Sequence, residues 1–203
     1  GAVRDTLMNL PATDFDVEVY GLAPDALEVA LRAVGAVHLT GKAFGVFKVT
    51  SPGERTLDVS LPRRESKIGV HHRDFRIEPD PTMTPKEAAR RRDFTANTVA
   101  WDPQTAEILD FYGAAADIAA GVLRMTDERT FAEDPLRVLR GVRFAAGFGW
   151  LIEERTALLC RQIEDVYTTL SIVRIWIEWE QWSRGNQPGA VLRALAATGW
   201  VRH

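Results

Sequence analysis

Two aspartates that stand two residues apart, Asp14 and Asp16, are the first residues of the chain whose type and spacing suggest chemistry. Residues 14–20 alternate polar and apolar side chains, which predicts a half-buried β-strand with both carboxylates on one face. The apolar residues of this strand are expected to point into the core: Phe15, Val17 and Val19. Proteins bind Mg²⁺ through one or two carboxylates together with substrate phosphates, so the pair predicts a magnesium site. The alternative is the solvent-facing side of an ordinary strand.

A third carboxylate, Asp58, lies between apolar residues in another predicted strand, residues 56–61. It would join Asp14 and Asp16 if the two strands are neighbours in one sheet. Carboxylates held this close repel one another, and a divalent cation removes that repulsion. A site with three carboxylates is therefore possible only if the sheet brings the two strands together.

The elements that must position these residues follow from periodicity and from turn residues. A helix is expected over residues 24–34 from its apolar spacing, with Gly35 as its stop. Residues 44–49 and 56–61 are expected to form two strands joined by a Ser-Pro-Gly turn at residues 51–53. Asp58 would then lie in the second strand of a hairpin.

The segment that follows, residues 62–82, is rich in Pro, Arg, Asp and His and is expected to be a loop. A helix should begin after it, because Thr84 is a suitable N-cap, Pro85 suits the first helical position and Glu87 the third. This helix is expected to run into the arginine cluster at residues 90–92.

Beyond Trp101 the chain changes character, with a Gly- and Ala-rich connection at residues 110–123. Helical periodicity then predicts four helices, over residues 131–146, 153–166, 171–183 and 188–198. The expected fold is α+β, with a head domain of mixed β-sheet and helices, 1–125, and an all-helical neck domain, 126–203. Because the chain begins with Gly1 instead of an initiator Met and ends just after a predicted helix, we expect a fragment of a longer protein, with a processed N-terminus as the alternative.

The composition is that of a globular protein: 203 residues, 46% hydrophobic and 26% charged, with a net charge of −3. No apolar run approaches the roughly 20 residues that span a bilayer, and Arg4 and Asp5 interrupt any signal-like stretch, so no membrane partner is expected. The single cysteine, Cys160, cannot form an internal disulfide, which favours the cytoplasm. A negative net charge is unusual for a nucleic-acid enzyme, although arginines cluster locally.

Four short motifs occur in order along the chain: Gly-Ala-Val-Arg-Asp at residues 1–5, Asp-Phe-Asp at 14–16, Arg-Arg-Asp-Phe-Thr at 91–95 and Glu-Asp-Pro-Leu-Arg at 133–137. Together they resemble the successive motifs of class II tRNA nucleotidyltransferases and bacterial poly(A) polymerases, of the polymerase-β-like nucleotidyltransferase superfamily. The resemblance extends to the segment Arg174–Trp182 and so covers nearly the whole chain. It implies a nucleotidyltransferase head followed by a helical neck.

The resemblance implies a role for each motif residue. Asp14 and Asp16 correspond to catalytic, metal-binding aspartates, and Asp58 to a third catalytic carboxylate. Nucleotide-binding roles fall on two groups: Gly1, Arg4 and Asp5 on the phosphate side, and Arg92, Asp93 and Asn97 around the ribose and phosphates.

Asp134 and Arg137 resemble the protein template that reads the base edge of the incoming nucleotide, with Glu133 orienting the arginine. Three residues apart in a helix, they would share a face, and a carboxylate with a guanidinium fork can pair with cytosine or adenine. Arg140 and Arg143 would continue this face toward triphosphate or RNA phosphate. The alternative is an acidic helix N-terminus followed by surface arginines.

The resemblance implies an Mg²⁺-dependent enzyme that adds nucleotides from CTP and ATP to the 3′ end of tRNA or another RNA, with release of pyrophosphate. The motifs do not separate CCA, CC or A addition from poly(A) synthesis. A catalytically impaired RNA-binding remnant is the alternative from another class. A metal-dependent phosphohydrolase is disfavoured, because the sequence lacks the His-Asp clusters of such domains. The oligomeric state is not predicted.

Three further features carry weaker expectations. The segment 110–124 resembles a flexible family motif and could be a hinge or a simple loop. His71 and His72 have no partners at zinc-like spacing, so a loop pair is favoured over a metal site. The tryptophans at every third position, Trp176, Trp179 and Trp182, are expected to form a buried helix face, with RNA stacking as the alternative.

Overall fold

The computed structural model describes residues 1–41, 46–51, 53, 56–67 and 75–203. These residues form two compact units, Gly1–Ala88 and Ala89–His203. The division into compact units thus falls earlier than residue 125, where the head and neck domains are predicted to meet. That domain boundary stays a prediction. No helix in the described ranges is long and apolar enough to cross a membrane.

The first unit combines helices with a sheet and a separate strand pair. Its helices are α1 (Ala2–Leu7), α2 (Pro24–Arg32) and α3 (Pro85–Arg90), of which α3 contains the boundary between the units. Its strands are β1 (Asp16–Glu18), β2 (Ala36–Gly41), β3 (Val46–Thr50), β4 (Thr56–Ser60), β5 (Arg63–Lys67) and β6 (Phe75–Pro79). The sheet has the order β1-β4-β3-β2, with β1 parallel to β4 and the other neighbours antiparallel. This arrangement confirms the predicted α+β fold with a mixed sheet.

The core of this unit lies on one face of the sheet, under α2. It consists of Leu27, Phe47, Val49, Val59 and Leu61. Helix α2 begins with Pro24 at its first position, as its sequence predicts, and it packs against β2. Gly35 lies shortly after the end of the helix and close to β3. Only glycine fits there, because a Cβ would lie 2.3 Å from the carbonyl oxygen of Thr50.

The predicted strand over residues 14–20 is shorter than expected, because β1 begins at Asp16 and ends at Glu18. The expectation that Phe15 and Val17 point into the core is wrong, since both side chains are exposed. The reason is the position of β1 at one edge of the sheet, whereas α2 packs on β2 at the opposite edge. Val19, beyond the strand, does pack against the core.

The segment 62–82 is not a loop throughout, because β5 and β6 pair in antiparallel register there. Strand β5 contains no apolar residue, so it lacks the alternation by which strands are recognised in a sequence. Strand β6 shows the alternation only in Phe75 and Ile77, which is too short a pattern to distinguish it from a loop. Strand β2 was also not predicted. His71 and His72 lie outside the described residues.

The helix predicted after this segment is confirmed, together with its cap. The backbone N–H of Thr84 donates to Glu87 Oε2 at 2.8 Å, and the N–H of Glu87 donates to Thr84 Oγ1 at 3.3 Å. This reciprocal pair is a capping box, which satisfies two donors at the start of α3.

The second unit is mostly helical. Its helices are α4 (Ala114–Ala120), α5 (Glu128–Glu133), α6 (Leu136–Phe148), α7 (Glu154–Gln162), α8 (Ile172–Ser183) and α9 (Pro188–Thr198). Short 3₁₀ helices lie at Thr95–Asn97, Glu164–Thr169 and Trp200–Arg202. Two strand pairs complete it: antiparallel β7 (Ala100–Asp102) with β8 (Glu107–Leu109), and parallel β9 (Val122–Leu123) with β10 (Leu151–Ile152). Helix α6 is central and packs against both α8 and α9.

The helices predicted over 171–183 and 188–198 are confirmed, whereas the one predicted over 131–146 is wrong. The helix is interrupted at Asp134 and Pro135, so that α5 ends before this break and α6 begins after it. Proline disfavours the helical conformation in the residue that precedes it, and Asp134 is extended with φ −128° and ψ 95°. Apolar periodicity on both sides hid this break.

The connection at 110–123 contains a helix, so the alternative of a simple loop is wrong. Helix α4 lies between Gly113 and Gly121, whose φ angles of 75° and 66° are left-handed and favour glycine. Asp110 accepts hydrogen bonds from the backbone N–H groups of Ala114 and Ala115 and so caps the helix. A hinge role for this segment stays a prediction.

The tryptophans of α8 do not form one buried face. Trp182 is buried, but Trp176 is 68% exposed and Trp179 is also exposed. A spacing of three residues advances by about 300° in an α-helix, so the tryptophan positions drift around it. The buried side of α8 is instead formed by Ile175, Glu178 and Trp182.

Candidate functional site

Two of the three predicted carboxylates, Asp16 and Asp58, lie on the sheet of the first unit, and the condition that their strands are neighbours is met. Strands β1 and β4 are neighbours, with Asp16 directly beside Asp58. Residues paired in this way point to the same face. Asp58 alternates with the core residue Val59, so this face lies opposite the core. Asp14 precedes β1 and is exposed to solvent.

Lys48 is a neighbour of Asp58 that sequence reasoning missed. Strands β3 and β4 pair Lys48 with Asp58, and the distance from Lys48 Nζ to Asp58 Oδ1 is 3.4 Å. Both side chains are about half-exposed. The signal was present in the two predicted strands, since pairing them as a hairpin places their outward residues opposite one another.

The donor set on this face suits a hard divalent cation. In the described ranges, no group of three or more His, Cys, Asp or Glu residues lies close enough to hold a metal ion by itself. Two carboxylates side by side nevertheless fit Mg²⁺, which takes its remaining oxygen ligands from water and substrate phosphates. Asp16 and Asp58 are such a pair, and both are open to solvent.

The predicted phosphate-side residues lie at the start of the chain, where Gly1 caps α1. The Arg4 guanidinium donates through Nε and Nη2 to Asp5 Oδ1, at 2.9 and 2.7 Å. Both side chains are mostly buried, so the two motif residues hold each other in place. Their contact with a triphosphate stays a prediction.

In the second unit, the buried carboxylate of Asp93 organises the third motif. Its Oδ1 accepts hydrogen bonds from the backbone N–H of Phe94 and from Asn97 Nδ2, both at 2.8 Å. Its Oδ2 accepts from Arg140 Nε at 2.7 Å. Burial by itself raises the pKa of Asp93, but the charge of Arg140 and the hydrogen bonds outweigh it and hold the pKa below its ordinary value. The carboxylate is therefore ionised, and it ties the predicted nucleotide-binding residues Asp93, Asn97 and Arg140 together.

Two other predicted arginines are fixed by backbone carbonyl groups. Arg92 Nη1 donates to the carbonyl oxygen of Asn97 at 3.0 Å. Arg137 Nη1 donates to the carbonyl of Thr130 at 2.8 Å, and its Nη2 donates to that of Arg91 at 2.7 Å. A guanidinium held at two points has a defined plane, which planar recognition requires.

Asp134 and Arg137 do not share one helix, so the expected reason for their proximity is wrong. Asp134 lies in the break before α6, and its carbonyl oxygen accepts the backbone N–H of Arg137 at 3.0 Å. Its Oδ1 accepts the N–H of Leu136, and its Oδ2 forms an ion pair of 2.7 Å with Arg174. The break and α8 thus position the Asp134 carboxylate, while carbonyl groups position Arg137.

Arg143 is engaged inside the unit, with an acidic partner that sequence reasoning missed. Its Nε lies 2.9 Å from Oε2 of the buried Glu178, and its Nη1 donates to Gln181 Oε1 at 2.6 Å. Its guanidinium also lies over the Phe144 ring, 4.7 Å from the centroid. The alternative of a solvated row of surface arginines is therefore wrong, because Arg137, Arg140 and Arg143 all have partners within the unit.

A second buried carboxylate, Asp117, lies on α4 within the segment 110–124. It accepts a hydrogen bond from Thr95 Oγ1 at 2.6 Å and forms an ion pair with Arg124 at 3.0 Å. Arg124 also reaches Glu153 at 3.1 Å. This network holds Thr95, two residues after Asp93, and therefore stabilises the third motif.

Comparisons with known proteins agree with the motifs. The family model described as the poly(A) polymerase head domain matches residues 1–124. The multifunctional CCA protein of Xanthomonas campestris pv. campestris (strain B100) is 40% identical over 209 residues, which cover 100% of this chain and 48% of that protein. The chain thus spans about half the length of the curated relatives it matches.

Solved structures share the fold. The crystal structure of the Bacillus stearothermophilus CCA-adding enzyme in complex with CTP matches with a TM-score of 0.82 and 25% identity, over 98% of this chain and 47% of that chain. The Thermotoga maritima CCA-adding enzyme complexed with tRNA matches with a TM-score of 0.79 and 28% identity, over 100% of this chain and 46% of that chain. Such enzymes are nucleotidyltransferases, which in general depend on a metal ion. The head-domain model matches more than half of the residues of this chain. In agreement with its ordered motifs, the chain therefore belongs to the poly(A) polymerase head domain family.

Proposed function

We propose that this chain carries the nucleotide-binding and catalytic part of an enzyme that adds C and A nucleotides to the 3′ end of tRNA. The observation that carries the proposal is the pairing of Asp16 with Asp58 on adjacent strands, on the face opposite the core. A protein that only binds RNA has no need for two carboxylates side by side, because they repel both each other and phosphate. The similarity to CCA-adding enzymes supplies the substrate class: CTP, ATP and tRNA.

The proposed cofactor is Mg²⁺, held by Asp14 and Asp16 with Asp58 beside them. When bound, Mg²⁺ supplies positive charge that offsets the triphosphate and favours the ionised form of the attacking hydroxyl. In the reaction the RNA 3′ hydroxyl gives up its proton to solvent, and its oxygen forms a bond to the α-phosphorus of the nucleotide. The bond between the α-phosphorus and the oxygen that bridges to the β-phosphate breaks, and pyrophosphate leaves. The chain's own carboxylates contribute by fixing where these groups meet, without a covalent intermediate.

The second unit is proposed to select the nucleotide. Asp134, held by Arg174, offers carboxylate oxygens as acceptors, and Arg137, held by two carbonyls, offers a planar fork of donors. This pair can hydrogen-bond to the edge of cytosine or adenine. Arg92 and the Asp93 network are proposed to contact the ribose and phosphates. Since the lone Cys160 is a free, buried thiol, we place the enzyme in a reducing compartment, the cytoplasm.

The test is incorporation of labelled CTP and ATP, with Mg²⁺, into tRNA that lacks its 3′ CCA end. We expect ordered addition by the wild-type chain and a loss of at least about 100-fold for Asp16→Asn, because a carboxylate ligand becomes a neutral amide. Asp165→Asn is the matched control, since Asp165 is an exposed aspartate on a 3₁₀ helix of the second unit.

The outcomes separate the candidate functions. Addition that disappears only in Asp16→Asn supports the proposal, and the length and composition of the product distinguish CCA addition from CC, A or poly(A) addition. A folded wild-type chain that binds tRNA and incorporates nothing, in a form extended to the length of its relatives as well, would support a non-catalytic RNA-binding protein instead.

A further inference from the structure

A row of charged and titratable residues runs across the sheet of the first unit. Strand pairing places Asp16 beside Asp58, Asp58 beside Lys48, and Lys48 beside His38. Neighbours in register share a face, so the row passes from two acids to two bases on the face opposite the core. The carboxylates proposed to bind a metal ion therefore have a lysine built in next to them.

Lys48 is placed to neutralise Asp58. Its ammonium nitrogen lies 3.4 Å from Asp58 Oδ1, and half of its side chain is exposed. A lysine on a flexible stem, open to solvent, can leave such a contact at little cost, since exposed ion pairs are worth at most about 1 kcal/mol. The contact is thus reversible.

A divalent cation between Asp16 and Asp58 would meet Lys48 in two ways. It would compete with the ammonium for the Asp58 carboxylate, and it would be repelled by the ammonium charge a few ångströms away. A nucleotide triphosphate reduces both the competition and the repulsion, because its phosphate oxygens are an alternative partner for the displaced lysine.

We propose that Lys48 is an internal counter-ion that weakens divalent-metal binding to the Asp16–Asp58 pair until a nucleotide triphosphate is present. Lys48 is a positioning residue in this role, and the inference rests on the proposed function of the two carboxylates. Metal and nucleotide binding are then positively coupled, and by linkage each strengthens the other by the same factor. Removing the lysine charge should strengthen metal binding without nucleotide and reduce the coupling.

The experiment measures Mn²⁺ binding by the loss of the free-ion electron paramagnetic resonance signal, with and without CTP and without RNA. A titration without protein gives the Mn²⁺ that CTP binds by itself, and this amount is subtracted. Lys48→Met is expected to bind Mn²⁺ roughly 3- to 10-fold more tightly than wild type without CTP, and to gain less from CTP. Lys48→Arg keeps the charge and should retain most of the coupling. Lys86→Met, which removes an exposed lysine from α3, is the control and should behave as wild type.

The outcomes also separate this inference from the proposed function. If Mn²⁺ binding depends on Asp16 but Lys48→Met matches wild type and Lys86→Met, the counter-ion role is wrong while the metal site stands. If the wild-type chain and Asp16→Asn bind Mn²⁺ equally poorly with and without CTP, both the metal site and the role of Lys48 are overturned.

Discussion

Removal of the Asp93 carboxylate should destabilise the second unit more than loss of an ordinary surface ion pair. Asp93→Ala leaves the N–H of Phe94, the amide of Asn97 and the Nε of Arg140 without their acceptor. The Asp93 side chain is 5% exposed and that of Arg140 is 35% exposed, so water can partly replace the lost acceptor at the arginine. Breaking a buried ion pair from one side costs about 3–5 kcal/mol, and this partial exposure favours the lower end, about 3 kcal/mol. For a chain of this size, that lowers Tm by about 6–12 °C.

The assay is urea unfolding followed by tryptophan fluorescence, in a double-mutant cycle with Arg140→Met. We expect the double variant to lose about 2 kcal/mol less unfolding free energy than the sum of the two single variants. The reason is that either substitution alone already leaves the remaining member of the ion pair unsatisfied. The control is Arg155→Met, which breaks the exposed pair with Glu128 and should cost less than about 1 kcal/mol.

The pH dependence of the unfolding free energy gives an independent check that folding lowers the pKa of Asp93. Because the pKa of Asp93 is lowered by folding, its contribution is fully present above its unfolded pKa of about 3.9 and is lost as the pH falls through the folded pKa. The difference in unfolding free energy between wild type and Asp93→Ala should therefore be constant near neutral pH and shrink in acid. A cost below about 1 kcal/mol at neutral pH, or additive effects in the cycle, would refute the reasoning.

Two further predictions concern packing and thiol chemistry. Gly185→Ala should destabilise the second unit by about 2–3 kcal/mol, because the added Cβ would lie 2.6 Å from the carbonyl oxygen of Ala146. Gly147→Ala in α6 is the comparison: its Cβ meets nothing within 4 Å, and the variant should stabilise the unit by about 0.5–1 kcal/mol. Thermal unfolding of the two variants measures both, and equal effects would contradict the packing. Burial raises the pKa of Cys160 to about 12, so a thiol-specific disulfide reagent should label it only after denaturation, and rapid labelling of the native chain would show that the site opens.

Local signals in the sequence were enough for several elements. The capping residues Thr84 and Glu87 predicted the start of α3, and apolar spacing predicted α8 and α9. The spacing of Asp14 and Asp16 predicted a carboxylate pair, whose metal-binding role stays a prediction. The condition that the strand of Asp58 lies beside that of Asp16 is met. These features depend on residues close together in the chain.

What could not be predicted depends on distant partners. Asp93 and Arg140 are 47 residues apart, and Arg143 meets Glu178 only because α6 packs against α8. The exposure of Val17 follows from the edge position of β1, which alternation cannot reveal. At Asp134, by contrast, the following proline is a local signal for the break, and the apolar periodicity on both sides masks it.

The edge position of β1 has a consequence for self-association. In the part of the chain that the structure describes, β1 pairs with β4 on one side only, and Phe15 and Val17 are exposed along it. An apolar strand edge can template pairing with another copy, and charged side chains are a means by which proteins prevent this. Asp14, Asp16 and Glu18 alternate with those apolar residues, so two such edges repel each other. Replacing Asp16 with a neutral residue is therefore expected to weaken the charge repulsion between two such edges and to favour self-association.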